Sequence, residues 1–89
     1  MISVLIPTYN EAGNIRNLLD KINSVLKDIG EPYEVIVADA KSTDSTQKIA
    51  RESGAKVFAQ QDLGYGAALK EGFDETRGDY IITLDADFS

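Results

Sequence analysis

The sequence predicts an α/β protein built on a parallel sheet, and three observations carry that expectation. Short apolar runs alternate with helix-period segments along the chain, the pattern of strands joined by crossover helices. The runs are nearly continuous in Val, Ile and Leu rather than alternating apolar with polar, which is what strands covered on both faces show. With 89 residues, 43% apolar and 27% charged, the chain suffices for one core and is too short for a second.

Each element follows in order. Ile2 to Ile6 is short, apolar and β-branched, a buried strand whose end is placed at Pro7, since proline cannot donate to a ladder. Asn10 is a candidate N-cap. The helix after it carries Ile15, Leu18, Leu19, Ile22, Val25, Leu26 and Ile29 in steps of three and four, one apolar stripe, with Arg16, Asp20, Lys21 and Lys27 on other faces. Gly30 and Pro32 stop it. Tyr33 to Ala38 is the second strand. Asp39 to Thr43 forms a polar loop, and Asp44 with Gln47 fits a capping box opening a helix that runs to Glu52. Ala55 to Ala59 is a third strand and Gln60 to Gly66 a polar, glycine-rich loop. A third helix spans about Ala67 to Thr76, with Leu69 and Phe73 on one face. Tyr80 to Leu84 is the last strand and runs into Asp85-Ala86-Asp87.

The resulting β-α-β-α-β-α-β order, with right-handed crossovers, gives a four-stranded parallel sheet of order 3-2-1-4, a half-Rossmann arrangement. Ligands of such sheets bind outside the carboxyl ends of the strands, where the order reverses. That rim receives Tyr9 and Glu11 after strand one, Asp39 and Asp44 after strand two, and Asp85 and Asp87 after strand four.

Composition narrows the chemistry. There is no Cys and no His, so a disulfide framework, a zinc site of the usual kind and Cys or His catalysis are excluded. A net charge of −6 argues against coating nucleic acid. Metal binding would use oxygen ligands and hard cations. Asp85 and Asp87 lie two apart, so on an extended chain both carboxylates face one way and can share a divalent cation with diphosphate oxygens. The same Asp-x-Asp also serves as a plain polar turn. Gly64-Tyr65-Gly66 lacks the third glycine of a dinucleotide fingerprint and follows strand three, not strand one. A receiver-like acidic pocket would need paired acids after strand one, where Pro7-Thr8-Tyr9 stands. Lys41 and Lys70 read as solvated surface. No window has the length of a membrane helix and no signal peptide opens the chain, so it reads as a cytoplasmic protein.

Taken together, Val4-Leu5-Ile6-Pro7-Thr8-Tyr9-Asn10-Glu11, Val37-Ala38-Asp39 with Ser42-Thr43-Asp44, Gly64-Tyr65-Gly66-Ala67-Ala68-Leu69 and Leu84-Asp85-Ala86-Asp87 closely resemble the family 2 glycosyltransferases, of GT-A fold, along essentially the whole chain. Within that family the resemblance is to the polyprenyl- and dolichyl-phosphate hexosyltransferases. It implies that residues 1–89 form a single domain, the truncated donor-binding half of a GT-A domain. Pro7, Tyr9, Glu11 and Asp39 then sit around the nucleotide, and Asp85 and Asp87 hold Mg²⁺ or Mn²⁺ on the donor diphosphate. The implied reaction is inverting transfer of a hexose from GDP-mannose or UDP-glucose to a polyprenyl phosphate, at the cytoplasmic face of a membrane in the full-length relative. No catalytic residue falls within this chain, which is expected to be inactive alone. Two positions depart from the pattern: Ala40 replaces the second acid of the strand-two pair, and Lys41 a small or glycine-like residue. The alternative reading is a non-catalytic half-Rossmann scaffold. Strand four would be an uncovered edge, and pairing there predicts a homodimer.

Overall fold

The structure, a computed structural model, describes residues 1–86. The elements run β1 (Ile2–Thr8), α1 (Ile15–Ile29), β2 (Tyr33–Asp39), α2 (Thr46–Glu52), β3 (Lys56–Ala59), α3 (Tyr65–Phe73) and β4 (Tyr80–Thr83). The four strands form one sheet of order β3-β2-β1-β4, all parallel, as the alternation of the sequence predicts. All carboxyl ends therefore lie on one rim.

β1 does not stop at Pro7. It continues to Thr8, with Pro7 opposite Ala38 and Thr8 opposite Asp39. The reason lies in which neighbour each residue faces. The Thr8 carbonyl accepts from Ala40 on the β2 side, and the Leu5 carbonyl accepts from Leu84 on the β4 side. Odd residues of β1 thus face β4, whose pairing ends at Leu5. The N–H that Pro7 lacks points where no partner strand remains, so the proline costs the ladder nothing.

Successive residues of the central strands point to opposite faces. Val4, Ile6, Val35 and Val37 pack under Ile15, Leu18, Leu19, Ile22 and Leu26 of α1 and Ala50 of α2. Leu5, Ile36 and Ala38 pack under Ala68 of α3, with Phe58 and Leu69 at the margin. Each fully buried Leu or Ile contributes roughly 1.5–3 kcal/mol relative to exposure. On the second face the helix comes close enough that a Cβ at Gly72 would collide with the side chain of Leu5. Gly30, at φ 80°, closes α1 by donating its N–H to the Leu26 carbonyl.

Several expected details differ. The residue before α1 is Asn14, not Asn10, and it makes no side-chain cap. The stripe of α1 buries only as far as Leu26. Val25 and Ile29 are exposed and, with Ile22, Ile82 and Leu84, line an apolar groove of about 290 Å³. α3 begins two residues earlier than expected and ends at Phe73, where the Glu75 and Thr76 N–H groups bond three residues back to Gly72 and Phe73 and break the α-helical spacing. Phe73 is exposed rather than facing the core, and β4 is exposed along its length. Among the described residues no helix is long and apolar enough to cross a membrane.

Candidate functional site

The rim at the carboxyl ends is built from two loops stitched together by side chains. The loop after β1 turns at Asn10, whose φ of 51° is left-handed. Asn10 does not cap α1. Its N–H donates to Ser42 Oγ at 2.8 Å, and its Oδ1 accepts from the Thr43 N–H at 2.9 Å, so it bridges to the loop after β2. Glu11 N–H donates to Thr46 Oγ1 at 2.8 Å and Ala12 N–H to Asp44 Oδ2 at 3.2 Å. Asp44 also accepts from both the N–H and the hydroxyl of Thr46. Its carboxylate is thereby committed, and the expected capping box with Gln47 does not form. Lys41 lies at φ 58°, a left-handed position at which glycine would bear no steric cost.

Asp39 is the centre of this stitching. It is fully buried, and its carboxylate accepts four hydrogen bonds: from Thr8 Oγ1 at 2.7 Å, Ser42 Oγ at 2.6 Å, Ser42 N–H at 2.7 Å and Gln47 Nε2 at 2.8 Å. Burial pushes its pKa up. The bonds from Ser42, Thr8 and Gln47 outweigh that and hold the carboxyl below its ordinary value. Gln47, which the sequence suggests as a partner for Asp44, is instead drawn to this charge.

Beside the stitched loops lies a pocket of about 240 Å³, lined by Pro7, Thr8, Tyr9, Ala40, Gln60, Gly64, Tyr65 and Ala68. Tyr9, from the loop after β1, is 57% exposed and Tyr65, at the start of α3, 55%, so two exposed aromatic residues are among its lining. Of the sequence-predicted nucleotide residues, Pro7 and Tyr9 line the pocket, while Glu11 and Asp39 do not. The backbone carbonyl of Glu11 accepts from Asn14 and Ile15 as the chain turns into α1, and its carboxylate accepts from Asn14 Nδ2 at 3.5 Å.

Asp85 follows β4 on the same rim, exposed, and among the described residues it takes no hydrogen bond. Asp87, its expected partner in metal binding, lies outside the described residues. Among those described there is no cluster of three or more acids that would hold a cation unaided. An exposed carboxylate of this kind suits Mg²⁺ or Mn²⁺, which take one or two carboxylates together with phosphate oxygens.

The sequence gives neither Gln60 nor Tyr65 a role in the site, although Tyr65 stands in the Gly64-Tyr65-Gly66 motif. The signal that would find Gln60 is register: Ala59 pairs with Asp39, and the Gln60 N–H donates to the Asp39 carbonyl at 2.8 Å, so Gln60 stands beside Ala40 one step further along the rim.

The sequence matches the family Glycosyl transferase family 2 over residues 3–89. It is 44% identical over 86 residues to the low-salt glycan biosynthesis hexosyltransferase Agl6 of Haloferax volcanii, covering 97% of this chain and 21% of that protein. It is 34% identical over 94 residues to the undecaprenyl-phosphate 4-deoxy-4-formamido-L-arabinose transferase of Aeromonas hydrophila, covering 98% of this chain and 29% of that protein. Its fold superposes on glucosyl-3-phosphoglycerate synthase from Mycobacterium tuberculosis, solved with Mn²⁺, UDP and glucosyl-3-phosphoglycerate, at a TM-score of 0.83 and 33% identity, covering 98% of this chain and 33% of that one. The chain thus spans between a fifth and a third of the length of these proteins.

Proposed function

The chain belongs to glycosyl transferase family 2, and on that premise we propose that it carries the donor side of an inverting hexosyltransferase, binding a nucleotide sugar and a divalent cation. The donor is GDP-mannose or UDP-glucose and the acceptor a polyprenyl or dolichyl phosphate at the cytoplasmic face of a membrane. The observation that carries the reading is the pocket on the carboxyl rim. It is lined by Tyr9 and Tyr65 among others and sits at the end of the sheet where ligands of open α/β folds bind. The relatives' names support the acceptor class, one being an undecaprenyl-phosphate transferase, and the solved synthase with UDP and Mn²⁺ supports the donor class.

In this reading Tyr9 stacks on the base and Pro7 shapes the floor beneath it. Glu11 lies toward the ribose. Asp39 acts through the loop it organises, holding Ala40 and Ser42 in place beside the pocket. Asp85 and Asp87 would hold Mg²⁺ or Mn²⁺, which would supply positive charge to offset that of the departing diphosphate. The acceptor's phosphate oxygen forms the new bond to the anomeric carbon from the face opposite the leaving group. The bond from that carbon to the diphosphate breaks with its electron pair, and the nucleoside diphosphate departs. The acceptor-binding part and the catalytic base are assigned to the remainder of the full-length fold, so residues 1–89 alone bind donor without turnover.

Titration with UDP-glucose and GDP-mannose, with and without Mg²⁺, followed by backbone amide shifts, tests this. Metal-dependent shifts at Tyr9, Ala40, Tyr65 and Asp85 support it. Silence at millimolar ligand contradicts it.

One observation favours a second reading. β4 is an exposed edge, so the chain could act as a scaffold that self-pairs along it as a homodimer. Light scattering distinguishes the two: a monomer that binds donor supports the first, and a dimer indifferent to nucleotide supports the second.

A further inference from the structure

The pocket wall includes Gln60, a buried residue whose side chain has hydrogen-bonding capacity left for a ligand. Gln60 is 2% exposed. Its Nε2 donates to the carbonyls of Asp62 at 3.0 Å and Gly64 at 3.2 Å. Two carbonyl acceptors can be satisfied only by the amide nitrogen, so the carboxamide is oriented by its chemistry and both hydrogens are committed. What remains is an acceptor, Oε1. Of the side chains around it, Ala40, next to Gln60 just past the end of β2, carries no polar atom, and the Thr8 hydroxyl has committed its proton to Asp39, so neither supplies a hydrogen to a ligand.

We propose that Gln60 is the residue that reads the nucleobase, accepting a ring N–H through Oε1. This inference rests on the donor-site reading above. An acceptor in the pocket wall with no hydrogen to give selects an edge that presents a donor. Uracil at N3 and guanine at N1 do so. Cytosine at N3 and adenine at N1 present a lone pair there, which a group with no spare hydrogen cannot satisfy. Uracil and guanine nucleotides share the required chemistry, and the experiment separates them.

Affinities of UDP, GDP, CDP and ADP are measured by calorimetry with Mn²⁺ present, alongside inorganic pyrophosphate as a ligand without a base. UDP or GDP is expected to bind at least about tenfold tighter than CDP and ADP, and whichever binds tighter names the donor base. Gln60→Met removes the acceptor and is expected to bring these affinities within about twofold of one another while pyrophosphate binding is retained. Gln60→Glu keeps an acceptor but loses both bonds to the loop, so a retained preference in that variant separates base reading from bracing of residues 62–64. Equal binding of all four nucleotides, or a preference that survives Gln60→Met, overturns the role of Gln60 while leaving the donor site standing. Failure of every nucleotide to bind overturns the donor site and this inference with it.

Discussion

Asp39 ends β2 and Asp85 follows β4, the two strands that flank β1, on the carboxyl rim of the sheet, yet they live in opposite surroundings. Asp39 is fully buried and accepts four hydrogen bonds that tie the loops after β1 and β2 together. Asp85 is exposed and takes none among the described residues. Topology gathers acids on one rim, but only local hydrogen bonding determines whether a carboxylate belongs to the fold or stays available to a ligand. One rim can thus hold one acid tied into the fold and another exposed to solvent.

The contrast breaks most readily at Asp39. Asp39→Ala leaves the Thr8, Ser42 and Gln47 donors without their shared acceptor, and is expected to cost about 2–4 kcal/mol of stability in denaturant unfolding. A loss below about 0.5 kcal/mol would show that the network is dispensable. Acid sharpens the same point. The folded pKa of Asp39 is lowered from 3.8, so its contribution is fully present above that value and disappears as pH falls through the lower folded pKa. The melting temperature should drop steeply below about pH 4, and Asp39→Asn should flatten that part of the curve. An unchanged acid limb would remove Asp39 as its source. Glu34 shares the limb from the opposite end of the sheet. Burial raises its pKa, but bonds from Ser3 and the Arg77 N–H outweigh that. The smallest effect lies at Val25 of α1, where the same division recurs among apolar side chains. Leu19 is fully buried while Val25, in the apolar groove, is 58% exposed. Val25→Ala should change stability by no more than about 0.5 kcal/mol, against about 2–5 kcal/mol for Leu19→Ala. Equal losses would place Val25 in a packed interface.

The strand order and the parallel sheet were legible because period and length distinguish buried strands from an amphipathic helix without tertiary knowledge. The gathering of the loops after β1, β2 and β4 on one rim was legible for the same reason. Details set by long-range partners were not. Pro7 signals a strand end locally, but it sits inside β1 because β4 stops pairing at Leu5. Asn10 and Asp44 have the residue types of caps, yet each bonds across to the other's loop. Ile29 continues the helical stripe yet stays exposed, in the groove it shares with Val4 and Ile82. Of the expected site residues, Pro7 and Tyr9 line the pocket, whereas the buried position of Asp39 depends on Thr8, thirty-one residues away. Gln60 was hidden because a glutamine after a short strand carries no motif, and only its register beside Ala40 gives it meaning.

The division of labour between the two acids is tested most directly by measuring Mn²⁺-dependent UDP and GDP binding and thermal melting together in the protein, in Asp85→Asn and in Asp39→Asn. Asp85→Asn should melt with the parent protein and lose the metal dependence of binding. Asp39→Asn should melt lower. An Asp85→Asn protein whose nucleotide affinity still rises on adding Mn²⁺ as the parent's does would contradict the account.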